Sequence, residues 1–128
     1  MLIRKDCHRK FVRTGAISEL DNPKWNHNNC YYNQLINLIP DNVDTCLEIG
    51  CGKGEFAFLL SKKSKRVIAV DIADKMIEKA KFLHSNDNKE YFCENILHME
   101  FENNSLDAIV TIATAHHLPF EWLLNFAN

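Results

Sequence analysis

Three glycines at alternate positions, Gly50, Gly52 and Gly54, constrain this sequence more than any other feature. They follow an apolar, β-type run from Thr45 to Ile49 and precede a segment in which large apolar residues have helical spacing. The order is therefore strand, glycine turn, helix. Glycine allows positive φ and lets a ligand approach the main chain, and a helix that starts there offers unpaired N–H groups. The turn therefore predicts a small-molecule site.

Beyond this turn, apolar runs typical of strands alternate with segments typical of helices. The predicted strands cover residues 45–49, 67–71, 91–93 and 107–112, and the predicted helices cover residues 54–63 and 74–84. The runs are nearly continuous in Val, Ile and Ala, which is typical of a parallel sheet that is covered on both faces. We therefore predict an α/β fold with a doubly wound, Rossmann-like parallel sheet.

The length of 128 residues, 46% of them hydrophobic, suits a single domain. Residues 1–25 have no sustained period and contain turn signals, so we interpret them as an N-terminal arm or lid with at most a short helix. Residues 26–128 form the predicted domain. A helix from about Trp25 to Ile39 should lie against the sheet.

The fourth predicted strand contains the run from Ala108 to Ile112, which is apolar enough to require a neighbour on each side. Only a short helix that begins at Pro119 is predicted between this strand and Asn128. The strand would then form a hydrophobic edge, and such edges promote association. We therefore expect the chain to be the incomplete, N-terminal part of a larger domain that can self-associate through its uncovered fourth strand.

Charge and cysteine content restrict the partners and the compartment. Residues 1–13 carry five basic residues against one acidic residue, but a short charged terminus is usually solvated, so no nucleic-acid partner is expected. The five cysteines form no C-x-x-C pair, and neither they nor the six histidines have metal-ligand spacing, so no metal site is predicted. No apolar run has the length of a signal peptide or a membrane span. We expect a soluble, cytoplasmic protein with no membrane partner.

Two classes of nucleotide cofactor use a strand, a glycine turn, a helix and an acidic residue that ends the second strand. Asp71 is that acid here, and its carboxylate can accept both ribose hydroxyls. The dinucleotide fingerprint G-x-G-x-x-G places its third glycine three positions after the second, whereas Gly54 comes two after Gly52. Glu48, just before the turn, would repel a diphosphate and attract a cationic ligand. A NAD-dependent oxidoreductase is therefore the less favoured alternative.

These segments resemble the class I S-adenosylmethionine-dependent methyltransferases. Four segments are similar to that family's motifs, in the family's order: Leu47-Glu48-Ile49-Gly50-Cys51-Gly52-Lys53-Gly54, Val67-Ile68-Ala69-Val70-Asp71-Ile72, Asn95-Ile96 with Met99 and Phe101, and Ser105-Leu106-Asp107-Ala108-Ile109-Val110. Ala115-His116-His117-Leu118 resembles the usual continuation. The resemblance covers about residues 30–124 and implies S-adenosyl-L-methionine as the cofactor.

The resemblance also implies how the cofactor is held. Glu48 would hold the amino group of the methionine part through water or the main chain, and Asp71 would accept the ribose hydroxyls. The other implied site residues lie in the turn, around the adenine and near the methyl group: Gly50, Cys51, Gly52, Ile72, Met76, Asn95, Ile96 and Ile112. Asn95 stands where the family generally has an acidic residue, and its carbonyl oxygen can still accept a hydrogen bond from the adenine amine.

The function implied by the resemblance is in-line methyl transfer to a small-molecule acceptor. His116 and His117 are candidates for a general base, because a neutral histidine titrates near working pH. A positional role is favoured for them, because the sulfonium is already a strong electrophile and alignment supplies much of the acceleration. Packing is likewise favoured for Tyr31 and Tyr32 over closing on the ligand. The alternative function is a module that binds the cofactor without turnover.

Overall fold

The computed structural model describes residues 2–4, 27–85, 88–112, 118–119 and 121–122. In chain order the elements are β1 (Leu2–Arg4), α1 (His27–Leu38), β2 (Val43–Ile49), α2 (Glu55–Leu60), β3 (Ser64–Asp71), α3 (Asp74–Leu83), β4 (Lys89–Cys93), a 3₁₀ turn (Ile96–His98) and β5 (Ala108–Thr111). Glu121 and Trp122 are helical, and the rest of the helix predicted after Pro119 lies outside the described residues. Among the described helices, none is long and apolar enough to cross a bilayer.

The five strands form one sheet in the order β1-β5-β2-β3-β4. β2 is parallel to β3 and to β5, and β3 is parallel to β4. From β2 the chain passes through α2 to β3 and through α3 to β4, and β5 then lies on the other side of β2. The winding therefore reverses between β2 and β5, and open parallel sheets bind ligands at the carboxyl ends of the strands at such a point. The predicted doubly wound, Rossmann-like α/β class is confirmed.

A separate apolar cluster covers each face of the sheet. The first cluster, on the face of α1, α2 and α3, includes Leu35, Phe56, Leu60, Val67, Ile77 and Val110. The second cluster, on the other face, includes Leu47, Ile49, Ile68, Val70, Ile96 and Ile109. Because side chains alternate along a strand, Glu48 projects from β2 towards the first cluster. This alternation places a carboxyl group among the helices, beside the glycine turn.

β5, the fourth predicted strand, is not an uncovered edge. β1 pairs with it in antiparallel orientation, with Leu2 opposite Val110 and Arg4 opposite Ala108. The prediction that this strand forms an uncovered edge is therefore wrong, and the structure gives no reason to expect self-association through it. The prediction of at most a short helix in residues 1–25 is also wrong, because residues 2–4 form a strand. Three residues are too few to show an alternating pattern, and strand pairing joins segments that are distant in sequence.

The helix after the glycine turn ends earlier than predicted, at Leu60, so the lysines that follow it lie outside the helix. Lys63 lies in the turn before β3. Its Nζ donates hydrogen bonds to the main-chain oxygens of Ile36 and Ile39 at 2.8 and 2.9 Å. Because the last carbonyls of a helix lack partners within the helix, Lys63 caps the C-terminal end of α1.

Lys63→Met is expected to lower the free energy of unfolding by about 1–2 kcal/mol, because two hydrogen bonds from a partly exposed ammonium group are lost while the apolar stem is kept. Urea unfolding followed by circular dichroism measures the change. Lys65→Met is the control, because Lys65 forms an exposed ion pair with Asp44 and such pairs contribute little. Equal effects of the two variants would show that Lys63 does not act as a cap.

Candidate functional site

The glycine turn joins β2 to α2 through three residues with left-handed backbone angles. The φ angles are 76° at Gly50, 53° at Gly52 and 82° at Gly54. Residues other than glycine rarely adopt such backbone angles, which explains the glycines at alternate positions. The N–H groups of Gly50 and Cys51 donate to the main-chain oxygen of Val70 at 2.8 and 3.0 Å, so the turn is anchored on β3.

Gly52 and Gly54 differ in what surrounds them. A Cβ atom on Gly52 would meet no atom of the described residues within 4 Å, so this part of the turn is open to a ligand. A Cβ atom on Gly54 would lie 2.8 Å from the Tyr91 hydroxyl and 3.1 Å from the Ala80 Cβ. Gly54 therefore allows α2 to pack closely against α3 and β4. Of these two glycines, only Gly52 borders space that a ligand can fill.

Asp71, the last residue of β3, connects its strand to the glycine turn. Its Oδ2 accepts a hydrogen bond from the Gly52 N–H at 2.8 Å, and its Oδ1 accepts one from the Ala73 N–H at 2.9 Å. A carboxylate offers about four acceptor positions, so each oxygen keeps one for a further donor. The carboxylate thus lies at the open side of the turn and can accept from a ligand.

Glu48 is the buried acid of the site. Its side chain is 2% exposed, and its Oε2 has no hydrogen-bond partner among the described residues. Burial raises the pKa of Glu48 well above its usual range, and the nearby Asp71 carboxylate raises it further. The main-chain N–H of Ala57, in the first turn of α2, acts on the pKa in the opposite direction. A buried carboxyl oxygen without a partner suits a cationic donor.

The titratable side chains that interact with Glu48 also include two phenols and a thiol. Burial, with the Glu55 and Glu48 carboxylates, raises the pKa of Tyr32 to about 12. Burial, with Cys51 and Glu48, also raises the pKa of Tyr91 to about 12. Burial, with the Glu48 and Asp71 carboxylates, raises the pKa of the Cys51 thiol. All three groups are therefore neutral at pH 7, and none offers a positive charge to Glu48. Within the described ranges, no three His, Cys, Asp or Glu side chains are grouped to hold a metal ion.

Glu48→Gln is expected to change how stability depends on pH. Because folding raises the pKa of Glu48, its contribution to stability is complete below the unfolded pKa of about 4.3 and is lost as the pH rises through the folded pKa. The variant should therefore gain stability relative to the wild type as the pH rises, by up to about 1.4 kcal/mol per pH unit.

The measurement is urea unfolding of both proteins at half-unit steps from pH 5 to pH 8, in the absence of ligand. Glu78→Gln on α3 is the control for exchanging an exposed acid for its amide. A constant difference between wild type and Glu48→Gln over this range would contradict the assignment of a raised pKa to Glu48.

The residues expected around an adenine lie at the same edge of the sheet as Asp71. Ile72 follows Asp71 directly and is 73% exposed, which is unusual for a large apolar side chain. Met76, in the first turn of α3, is also exposed. Asn95 follows β4, and its Oδ1 accepts a hydrogen bond from the Leu97 N–H at 3.0 Å. The amide oxygen therefore already caps the 3₁₀ turn, and one acceptor position is left for a ligand.

Other predicted site residues lie in the core or fall outside the described residues. The side chains of Ile96 and Cys51 are buried in the second and first cluster, so only their main chains can border a ligand. Ile112 follows β5 and is partly buried against the first cluster. His116 and His117 lie outside the described residues. Tyr91 was not predicted near the site, because its sequence signal is that of an ordinary strand residue.

Comparisons with known proteins identify similar chains. The chain matches the family model described as "Methyltransferase domain" over residues 47–125. An uncharacterized methyltransferase of Mycobacterium tuberculosis is 31% identical over 99 residues, which are 77% of this chain and 50% of the relative. A malonyl-[acyl-carrier protein] O-methyltransferase of Priestia megaterium is 36% identical over 95 residues, covering 70% of this chain and 32% of the relative.

A solved structure shares the fold. The Haemonchus contortus phosphoethanolamine N-methyltransferase 1, in complex with phosphoethanolamine and S-adenosylhomocysteine, aligns with a TM-score of 0.65 and 21% identity, over 74% of this chain and 21% of that one. The chain spans about half the length of the first curated relatives that it matches. The family match, which covers more than half of the residues, identifies the chain as a member of the class I S-adenosylmethionine-dependent methyltransferase family.

Proposed function

We propose that this chain binds S-adenosylmethionine at the carboxyl edge of its sheet and supports methyl transfer to a small-molecule acceptor. The observation that carries the proposal is the pair of carboxyl groups beside an open glycine turn. Among the described residues, Glu48 has a buried oxygen without a partner, Asp71 has unused acceptor positions, and Gly52 borders free space. A nucleoside that carries a cationic amino acid has a complementary group for each of them.

The turn itself argues against a ligand with a diphosphate. Phosphate sites in glycine turns depend on main-chain N–H groups that point at the ligand. Here four of the five N–H groups from residue 50 to residue 54 are engaged within the protein: those of Gly50 and Cys51 with Val70, that of Gly52 with Asp71, and that of Gly54 with Cys51. This favours a methyltransferase over a NAD-dependent oxidoreductase.

The residues of this chain fit the cofactor by position and charge. Asp71 would accept the ribose hydroxyls, Glu48 would hold the ammonium of the methionine part, and the exposed Ile72 and Met76 would cover the adenine. Bound S-adenosylmethionine supplies an electrophilic methyl group on a sulfonium. What the chain contributes is orientation, since a methyl group held in line with its acceptor needs little further activation.

The acceptor class is proposed from the family rather than from this site. Two relatives are named for phosphoethanolamine and for malonyl-[acyl-carrier protein], so methyl acceptors differ widely among similar proteins. Site details rather than the fold determine such choices. A small-molecule acceptor with an oxygen, nitrogen or carbon nucleophile is the proposal, and a module that binds the cofactor without turnover is the second candidate.

Isothermal titration calorimetry with S-adenosylhomocysteine tests cofactor binding. We expect one binding site per chain and saturation below about 1 mM, with no binding of NADH under the same conditions. Failure of S-adenosylhomocysteine to bind at millimolar concentration would refute the proposal, and binding of NADH alone would favour the oxidoreductase. Transfer of a labelled methyl group to a panel of small amines and hydroxyl compounds then separates an enzyme from a binding module.

A further inference from the structure

We propose that ligand binding at this site exchanges a proton for an ammonium group: Glu48 is a neutral carboxylic acid in the free protein and gives up its proton when a cationic amino group arrives. The inference rests on the proposed function, because it concerns the amino-acid end of the same ligand. The Glu48 carboxyl group loses its proton, its Oε2 accepts a hydrogen bond from the ammonium, and affinity therefore depends on pH.

The geometry around Glu48 is the starting point. The side chain is almost completely buried, and Oε2 has no hydrogen-bond donor among the described residues. A carboxylate in such surroundings loses the hydration of this oxygen with no described donor to replace it, and buried acids that lack donors take up a proton. A neutral carboxyl group has a much smaller desolvation cost. In the free protein the buried Glu48 is therefore protonated and neutral.

Apart from one main-chain donor, the described groups that face Glu48 from the packed elements add negative charge or no charge. Asp71 at the end of β3 adds a second negative charge. Tyr32 of α1, Tyr91 of β4 and Cys51 of the turn are neutral and donate no positive charge. Glu55, at the start of α2, is a further acid beside Tyr32. Among the described groups, the Ala57 N–H favours the carboxylate, and a single neutral donor does not offset burial and a second acid.

Binding of an ammonium group reverses this balance. The O–H bond of Glu48 breaks, the proton passes to solvent, and an N–H of the ammonium donates to Oε2. No other reactant is needed, because the α-amino group of the ligand is already protonated below its own pKa of about 8. In the pH range below the Glu48 pKa of the free protein, one proton leaves for each ligand bound. Affinity should therefore rise about tenfold per pH unit in that range and become constant above it.

Two ligands separate this event from nucleoside binding. S-adenosylhomocysteine carries the amino acid, whereas 5′-methylthioadenosine has the same nucleoside and thioether but no amino group. The first should release about one proton on binding, and the second should release none. A variant tests whether the released proton comes from Glu48 or from another group. Glu48→Gln keeps the shape of the neutral acid but has no proton to release. Its affinity for S-adenosylhomocysteine should be independent of pH and should approach that of the wild type at low pH.

The test is titration calorimetry in pairs of buffers with different ionisation enthalpies, from pH 5 to pH 7.5, which counts released protons directly. Release of one proton with S-adenosylhomocysteine, none with 5′-methylthioadenosine and none in Glu48→Gln is the expected result. Binding of S-adenosylhomocysteine without proton release throughout this range would overturn the inference and leave the proposed function intact. Undiminished release in Glu48→Gln would also overturn it. If neither ligand binds at any pH, the proposed function fails and the inference fails with it.

Discussion

Asp71→Asn is expected to weaken S-adenosylhomocysteine binding by about 100-fold or more, the largest effect of any single change in the site. The wild-type carboxylate accepts two main-chain N–H groups and has acceptor positions left for two ribose hydroxyls. Hydrogen bonds to a charged group contribute about 1.5–3 kcal/mol each, so two of them account for a factor of 100 or more. An amide also presents an NH₂ group where an acceptor is needed, against Gly52 or Ala73.

Calorimetry of both proteins measures the loss, and Asp74→Asn is the matched control. Asp74 is an exposed acid three residues further along the chain, and its Oδ1 accepts only from the neighbouring Lys75 N–H at 2.7 Å. The control should bind with wild-type affinity within about twofold. If Asp71→Asn binds within tenfold of the wild type, Asp71 does not hold the ribose.

Gly54→Ala should destabilise the protein strongly, whereas Gly52→Ala should mainly impair ligand binding. A left-handed angle costs a non-glycine residue about 1–2 kcal/mol, and this applies to both variants. At Gly54 the added methyl group also lies 2.8 Å from the Tyr91 hydroxyl, and overpacking adds about 1–3 kcal/mol. We therefore expect Gly54→Ala to lower the free energy of unfolding by about 2–5 kcal/mol.

At Gly52 the added methyl group meets no atom of the described residues within 4 Å and instead occupies the open side of the turn. Gly52→Ala should therefore lose about 1–2 kcal/mol of stability but bind S-adenosylhomocysteine at least tenfold more weakly. Urea unfolding and calorimetry on the same samples give both quantities. Equal loss of stability in the two variants, with binding unchanged in Gly52→Ala, would show that the two glycines do not have separate roles.

The sequence was sufficient for features that depend on neighbouring residues. The order of strands and helices, the glycine turn, and the positions of Glu48 and Asp71 at strand ends all follow from short-range patterns. They also locate the site, because a parallel sheet with crossover helices brings the carboxyl ends of its strands to one edge. The α/β class and the location of the candidate site could therefore be predicted.

Features that depend on distant elements could not be predicted in this way. The pairing of β1 with β5 joins residues about one hundred positions apart, and a strand of three residues carries no periodic signal. Gly52 and Gly54 look equivalent in the sequence, and the difference between them is set by Tyr91 and Ala80 of other elements. The lack of a described partner for the Glu48 Oε2 is likewise a property of the assembled core, since burial and hydrogen bonding depend on all neighbours together.

The hydrogen bonds within the glycine turn have a consequence for the kinetics of binding. Because Val70, Asp71 and Cys51 already hold four of its N–H groups, the turn has its final shape before a ligand arrives. Ordering of the main chain should then contribute little to the entropy of binding, as in other preorganised sites. We expect this part of the site to behave as a rigid template, with association limited by entry of the ligand rather than by folding of the turn around it.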